Sequence, residues 1–145
     1  MRSERFGLIA ALGHNVVVLA GDTNSRLMNK PDFAAQDGQP LDWKTFGEFD
    51  EIQAARAFFT RDGFVEAPIH FAPTYKFKKR GTDQYSTKRM PAWTDRILVR
   101  GPVRCLQYDA VSSVRQSDHR PVLLTFDVVE KDSADASFPR RVERL

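Results

Sequence analysis

Residues 16–20, Val-Val-Val-Leu-Ala, form an unbroken apolar run that is mostly β-branched and stops at Gly21. A short run of this composition reads as a strand, expected over residues 15–20 and buried on both faces. Such a strand needs a partner on each edge and a layer on each face. Almost no chain precedes it, which is an odd place for a central strand.

Around it the pattern mixes helix and sheet. Residues 5–12, with Phe6, Ile9 and Leu12 on one side, suit the end of a helix closed by Gly13. Residues 31–43 carry Pro31, Gly38 and Pro40 and suit a loop. Thr45-Phe46-Gly47-Glu48 has the capping-box order, and Phe46, Phe49, Ile52, Phe58 and Phe59 recur at roughly helical spacing. A helix is expected over residues 46–61, ended by Asp62-Gly63. Short strands are expected at residues 64–66 and 69–71, and an exposed basic loop at 76–90. Two more strands, 92–100 and 103–108, are expected around the Gly101-Pro102 turn. Val122, Leu124, Phe126 and Val128 alternate with Leu123, Thr125, Asp127 and Val129 and give the last strand. Residues 131–145 are charged and expected to be a disordered tail. The class is therefore α/β or α+β, with one domain over residues 1–130.

A chain of 145 residues that is 41% hydrophobic is long enough for one domain with a core. Its longest apolar run falls well short of the roughly 20 residues of a membrane helix, and its first residues lack the apolar stretch of a signal peptide. Cys105 is the one cysteine, so neither an internal disulfide nor a cysteine-based zinc site is expected, which fits a cytoplasmic protein. The net charge is +3, but nine Lys or Arg against two acids between residues 76 and 104 make that segment +7. A basic field of this size favours an anionic partner, or simply keeps loops soluble.

Several polar residues stand where chemistry is possible. Asp22 and Asn24 follow the apolar strand two residues apart, so continued extension would aim both side chains the same way. A carboxylate and an amide so placed suit the removal of a proton from water and the holding of an oxyanion; Gly-Asp-x-Asn is equally good turn chemistry. Asp95 is an acid inside a strand that otherwise alternates with apolar residues, and a buried carboxylate needs donors. His119 in Ser117-Asp118-His119 is the candidate donor, since a carboxylate fixes an imidazole's tautomer and favours its protonated form. Asp118 is a hard oxygen ligand of the kind magnesium takes. Tyr75, Lys76, Lys88 and Arg89 edge the basic loop and suit the reading of further phosphates. His14 and His70 are read as incidental.

Four segments together carry a family likeness: GDTNSRL at residues 21–27, PTYKF at 73–77, RMPAWTDRIL at 89–98 and SDHRPV at 117–122. In order and spacing the chain resembles the inositol polyphosphate 5-phosphatases of the endonuclease/exonuclease/phosphatase superfamily. The resemblance implies a four-layer β-sandwich flanked by helices, of which about half, the C-terminal half, is present. It implies that Asp22 deprotonates the attacking water, that Asn24 holds the scissile phosphate, and that His119, held by Asp95, supports it. Asp118 would lie beside Mg2+, and Tyr75, Lys76 and Arg89 near a neighbouring 4-phosphate. Thr23, Ser25 and Thr87 depart from the family's pattern. The first half of the domain, with its metal-binding glutamate, is expected elsewhere, as the lost part of a gene fragment or truncated gene model, or as a separate chain. The implied partner is an inositol phosphate or a phosphoinositide headgroup met peripherally at a membrane, with no nucleic acid expected. A nuclease of the same superfamily and a non-catalytic phosphoinositide- or protein-binding remnant are the alternatives.

Overall fold

The computed structural model of the protein describes residues 13–28, 47–78 and 81–130. The helix expected at 5–12, the loop at 31–43, the Thr45 end of the capping box and the tail after residue 130 lie outside the described residues.

Among the described residues, five strands and two short helices follow in the order β1 (Val17–Asp22), α1 (Glu51–Ala54), α2 (Arg56–Arg61), β2 (Val65–Glu66), β3 (Asp95–Arg100), β4 (Val103–Ala110) and β5 (Val122–Val128). They form two antiparallel sheets, β1-β3-β2 and β4-β5. Side chains alternate along β3, which makes it the hinge of the packing. Ile97 joins the core with Cys105, Tyr108, Val122 and Leu124 of the second sheet. Leu98, on the other face, shares a cavity wall with Ile52 of α1 and Phe59 of α2. Helices, first sheet and second sheet thus stack in that order among the described residues, in agreement with the mixed class. Trp93 and Phe71 complete the core, where the indole N–H is satisfied by the Phe71 carbonyl at 2.9 Å.

One buried ion cluster ties these layers together. Arg96, 1% exposed, donates through Nη1 to both oxygens of Asp50 at 2.7 and 2.8 Å, and through Nε and Nη2 to Glu66 at 2.7 and 2.5 Å. Asp50 caps α1 by accepting from the Gln53 N–H at 3.1 Å. Tyr108 of β4 donates to Glu66 at 2.8 Å and accepts from the Ile97 N–H at 3.2 Å. Burial opposes the Arg96 charge, yet hydrogen bonds and charge from Glu66 and Asp50 outweigh it and hold the guanidinium's pKa above its ordinary value.

The structure corrects several expectations. β1 is an edge strand: it pairs with β3 alone among the described strands, and Val18 and Leu19 are 45% and 42% exposed. Its apolar faces find no cover among the described residues, which is why the expected burial is not seen there. The strand also continues through Gly21 to Asp22. The expected long helix is broken: Gly47 is helical, residues 48–50 are not, and α1 and α2 follow, with the Asp50 carboxylate capping α1, while the expected start at residue 46 lies outside the described residues. Hydrogen bonding continues across the break, from Ala55 N–H to Glu51 O at 2.9 Å, and stretches to 3.5 Å at Phe59 N–H to Ala55 O. Asp62 and Gly63 end it as expected, Gly63 having a φ of 78°.

The strands flanking Gly101-Pro102 do not pair with each other; they belong to different sheets. Gly101 has a φ of 126°, and a Cβ there would lie 2.3 Å from the Asn15 carbonyl oxygen, so the corner between sheets requires glycine. Residues 69–71 form no strand, since they pair with no other segment in a ladder among the described residues, although Ile69 and Phe71 both pack at the core. The loop at 76–90 is pinned rather than simply exposed: Phe77 and Ser86 are buried, and the Arg120 guanidinium lies 3.8 Å over the Phe77 ring. β5 stands where expected, and its register places Asp127 opposite Arg104, with an ion pair at 2.7 Å.

Candidate functional site

The β1–β3 register sets Asp22 directly opposite Asp95. Opposed residues of an antiparallel pair project to the same face, so this pairing gathers two acids that are far apart in the sequence. Like charges so placed oppose each other, which is tolerated where a site needs both.

Beyond Asp22 the chain turns instead of continuing in extension. Asn24 has a φ of 54°, a left-handed conformation that asparagine accepts more readily than most residues. Its backbone N–H donates to Asp22 Oδ1 at 2.8 Å. Asp22 and Asn24 are therefore neighbours through a tight turn, and the turn and the functional readings of Gly-Asp-x-Asn hold together. Thr23 and Ser25 anchor it from beneath. Their hydroxyls lie 2.5 Å apart, and Thr23 reaches the Thr94 carbonyl through its N–H at 2.7 Å and its hydroxyl at 3.0 Å.

Asp95 and His119 meet as expected, with Oδ2 of the acid 2.9 Å from Nδ1 of the imidazole. Two fully buried threonines join them: Thr74 donates to the same oxygen at 2.8 Å and Thr94 at 2.9 Å. Three donors on one oxygen hold the carboxylate in one orientation, and with Nδ1 engaged the imidazole presents Nε2. Tyr75 lies tilted beside His119, ring centres 4.5 Å and planes 40° apart.

Lys76 and Asp118 form an ion pair at 2.9 Å. The Lys76 hydrogen bond holds the Asp118 carboxyl below its ordinary pKa, and the Asp118 hydrogen bond and charge raise that of Lys76. Asp118 is thus occupied by an ammonium, and no cluster of three or more His, Cys, Asp or Glu able to hold a metal occurs among the described residues. A lone paired carboxylate does not fit a magnesium site by itself. Lys88 and Arg89 are exposed, and no side-chain ion pair joins either to the site among the described residues. The +7 segment is also less free than its count suggests, since Arg96 is buried in its own cluster and Lys76 is paired.

Arg26, Thr74 and Thr94 were not singled out from sequence. The Arg26 guanidinium lies 4.8 Å over the Tyr75 ring and donates to Asn24 Oδ1. The available signal was position: each stands inside or beside a motif whose neighbouring polar residue needs a donor.

The sequence pattern of the endonuclease/exonuclease/phosphatase family 2 matches residues 3–125. The chain belongs to this family. Among its relatives, type II inositol 1,4,5-trisphosphate 5-phosphatase of Mus musculus is 35% identical over 126 residues, covering 79% of this chain. The solved inositol polyphosphate 5-phosphatase domain of SPsynaptojanin, in complex with inositol (1,4)-bisphosphate and calcium ion, matches with a TM-score of 0.61 at 38% identity over 79% of this chain. The family fold is not tied to one chemistry, for Cimex nitrophorin, solved as a ferrous NO complex, matches with a TM-score of 0.66 at 31% identity over 77% of this chain. The chain spans 12% of the mouse relative and 34% and 41% of the two solved structures.

Proposed function

We propose that this chain carries the water-activating and phosphate-holding side of a phosphomonoesterase site that removes the 5-phosphate of inositol polyphosphates or phosphoinositides. The observation that supports this reading best is the juxtaposition of Asp22 with Asp95 across β1 and β3, with His119 held on Asp95 and Asn24 on Asp22. Asp22 takes a proton from water as its oxygen attacks phosphorus, and the bond to the inositol oxygen breaks with its electron pair leaving on that oxygen. Asn24 and His119 donate to the phosphoryl oxygens as charge gathers on them. Tyr75, Lys76, Lys88 and Arg89 form the rim that reads a neighbouring phosphate.

Mg2+ is the proposed cofactor of the complete site, and Asp118 the group this chain would offer it after release from Lys76. The described residues by themselves do not build the metal's cage. The remaining ligands and the strand that covers the free edge of β1 would come from polypeptide outside the described residues, with residues 1–130 serving as the C-terminal half of the domain. A cytoplasmic protein that meets phosphoinositides at the membrane surface follows from the same reading.

The test is release of inorganic phosphate from inositol 1,4,5-trisphosphate by the full chain, with and without Mg2+, beside Asp22→Ala. Activity that Asp22→Ala abolishes supports hydrolysis. A second reading, binding without turnover, draws on the lack of a metal-holding cluster among the described residues; it wins if neither protein releases phosphate while phosphoinositide vesicles still retain the chain.

A further inference from the structure

We propose that Arg26 is a positioning residue that decides which end of the Asn24 amide faces the reacting phosphate. The proposal rests on the phosphate-hydrolysis reading and deepens it. An asparagine side chain has an accepting end, Oδ1, and a donating end, Nδ2, of nearly the same shape. Only the donating end stabilises a phosphoryl oxygen. A guanidinium carries donors and no acceptor, so the contact between Arg26 Nη2 and Asn24 can be made by Oδ1 alone. With Oδ1 taken, Nδ2 remains to donate.

Both partners are held. The Asn24 backbone is fixed in its left-handed turn by the bond to Asp22. The Arg26 backbone N–H donates to Glu51 Oε2 at 2.8 Å, and its guanidinium carbon lies 4.8 Å over the Tyr75 ring. Among the described residues its Nη1 is buried without a hydrogen-bond partner, and Nη2 makes the side-chain bond to the catalytic turn. Tyr75 in turn touches His119. Arg26 therefore links the turn that presents Asn24 to the aromatic wall beside the imidazole, and a lysine would keep the donor to Oδ1 while losing the planar guanidinium.

The experiment has two arms on the full chain. In the first, 15N-resolved NMR follows the Asn24 side-chain NH2 during titration with inorganic phosphate for wild type, Arg26→Lys and Arg26→Ala, the Trp93 indole signal reporting an intact core. The NH2 signals are expected to shift in wild type and in Arg26→Lys and to lose most of that response in Arg26→Ala. In the second arm, kcat for phosphate release is compared in Arg26→Ala, Asn24→Ala and the double variant. Arg26→Ala is expected to lower kcat more than it changes KM, by no more than the roughly 10²–10³-fold of a lost oxyanion donor, and to add nothing on the Asn24→Ala background. Additive losses, or an unchanged NH2 response in Arg26→Ala, overturn the proposal. A wild type without turnover whose Asn24 NH2 still responds through Arg26 sinks the hydrolysis reading and leaves the role of Arg26 standing.

Discussion

Asp95 Oδ2 accepts from Thr74 and Thr94 and lies 2.9 Å from His119 Nδ1, so a single carboxylate oxygen orients the imidazole that faces the proposed phosphate. Asp95→Asn keeps the shape but replaces one oxygen by a donor, which favours the wrong tautomer. Turnover is expected to fall roughly 10²–10⁴-fold with little change in melting temperature. Steady-state kinetics beside a thermal melt would check it; a lower melting temperature with normal kcat would mean that Asp95 is structural only.

Arg96 is the load carried inside the layers. Arg96→Met removes the charge that Asp50 and Glu66 share and strands two acids in the interior, and the expected loss is about 3–5 kcal/mol of stability. Urea unfolding measures it. A loss below about 1 kcal/mol would show the cluster to be solvated.

Gly101→Ala puts a Cβ 2.3 Å from the Asn15 carbonyl oxygen, a backbone atom that cannot turn aside. With the left-handed φ added, a cost of roughly 1–3 kcal/mol is expected. Thermal melting of the variant reads it, and an unchanged midpoint would mean that the corner relaxes freely.

The Lys76–Asp118 pair predicts a pH response whose sign follows from the two shifts. Asp118 has its pKa lowered by Lys76, so the pair's contribution is present above the ordinary carboxylate pKa of about 3.9 and is lost as pH falls through the lower folded value. Lys76 has its pKa raised, so at the alkaline end the pair outlasts the ordinary lysine value of about 10.4 and is lost as pH rises through the raised folded value. NMR titration of the Asp118 carboxyl carbon in Lys76→Met is expected to show its midpoint moving up, and salt is expected to shrink the difference in wild type because both groups are exposed. Identical midpoints in the two proteins would remove the pair from solution.

Sequence alone determined what is local. Alternation located β5, Asp62-Gly63 located the end of the helical segment, and the GDTN, PTYK, WTDR and SDH segments identified the family, because these depend on residue type and short spacing. Long-range pairing decided the rest. Composition marked β1 as central, yet among the described residues it is an edge, since a strand's own sequence does not say whether a neighbour is supplied. Asp22 comes opposite Asp95 only through the β1–β3 register, Gly101 is a corner between sheets only because Asn15 crowds it, and Lys76 meets Asp118 only because Phe77 N–H bonds the Asp118 carbonyl at 2.9 Å. Arg26 shows the division most clearly: its identity lay in the sequence, but its hold on Asn24 and Tyr75 arises where the turn after β1 packs against a segment from the middle of the chain.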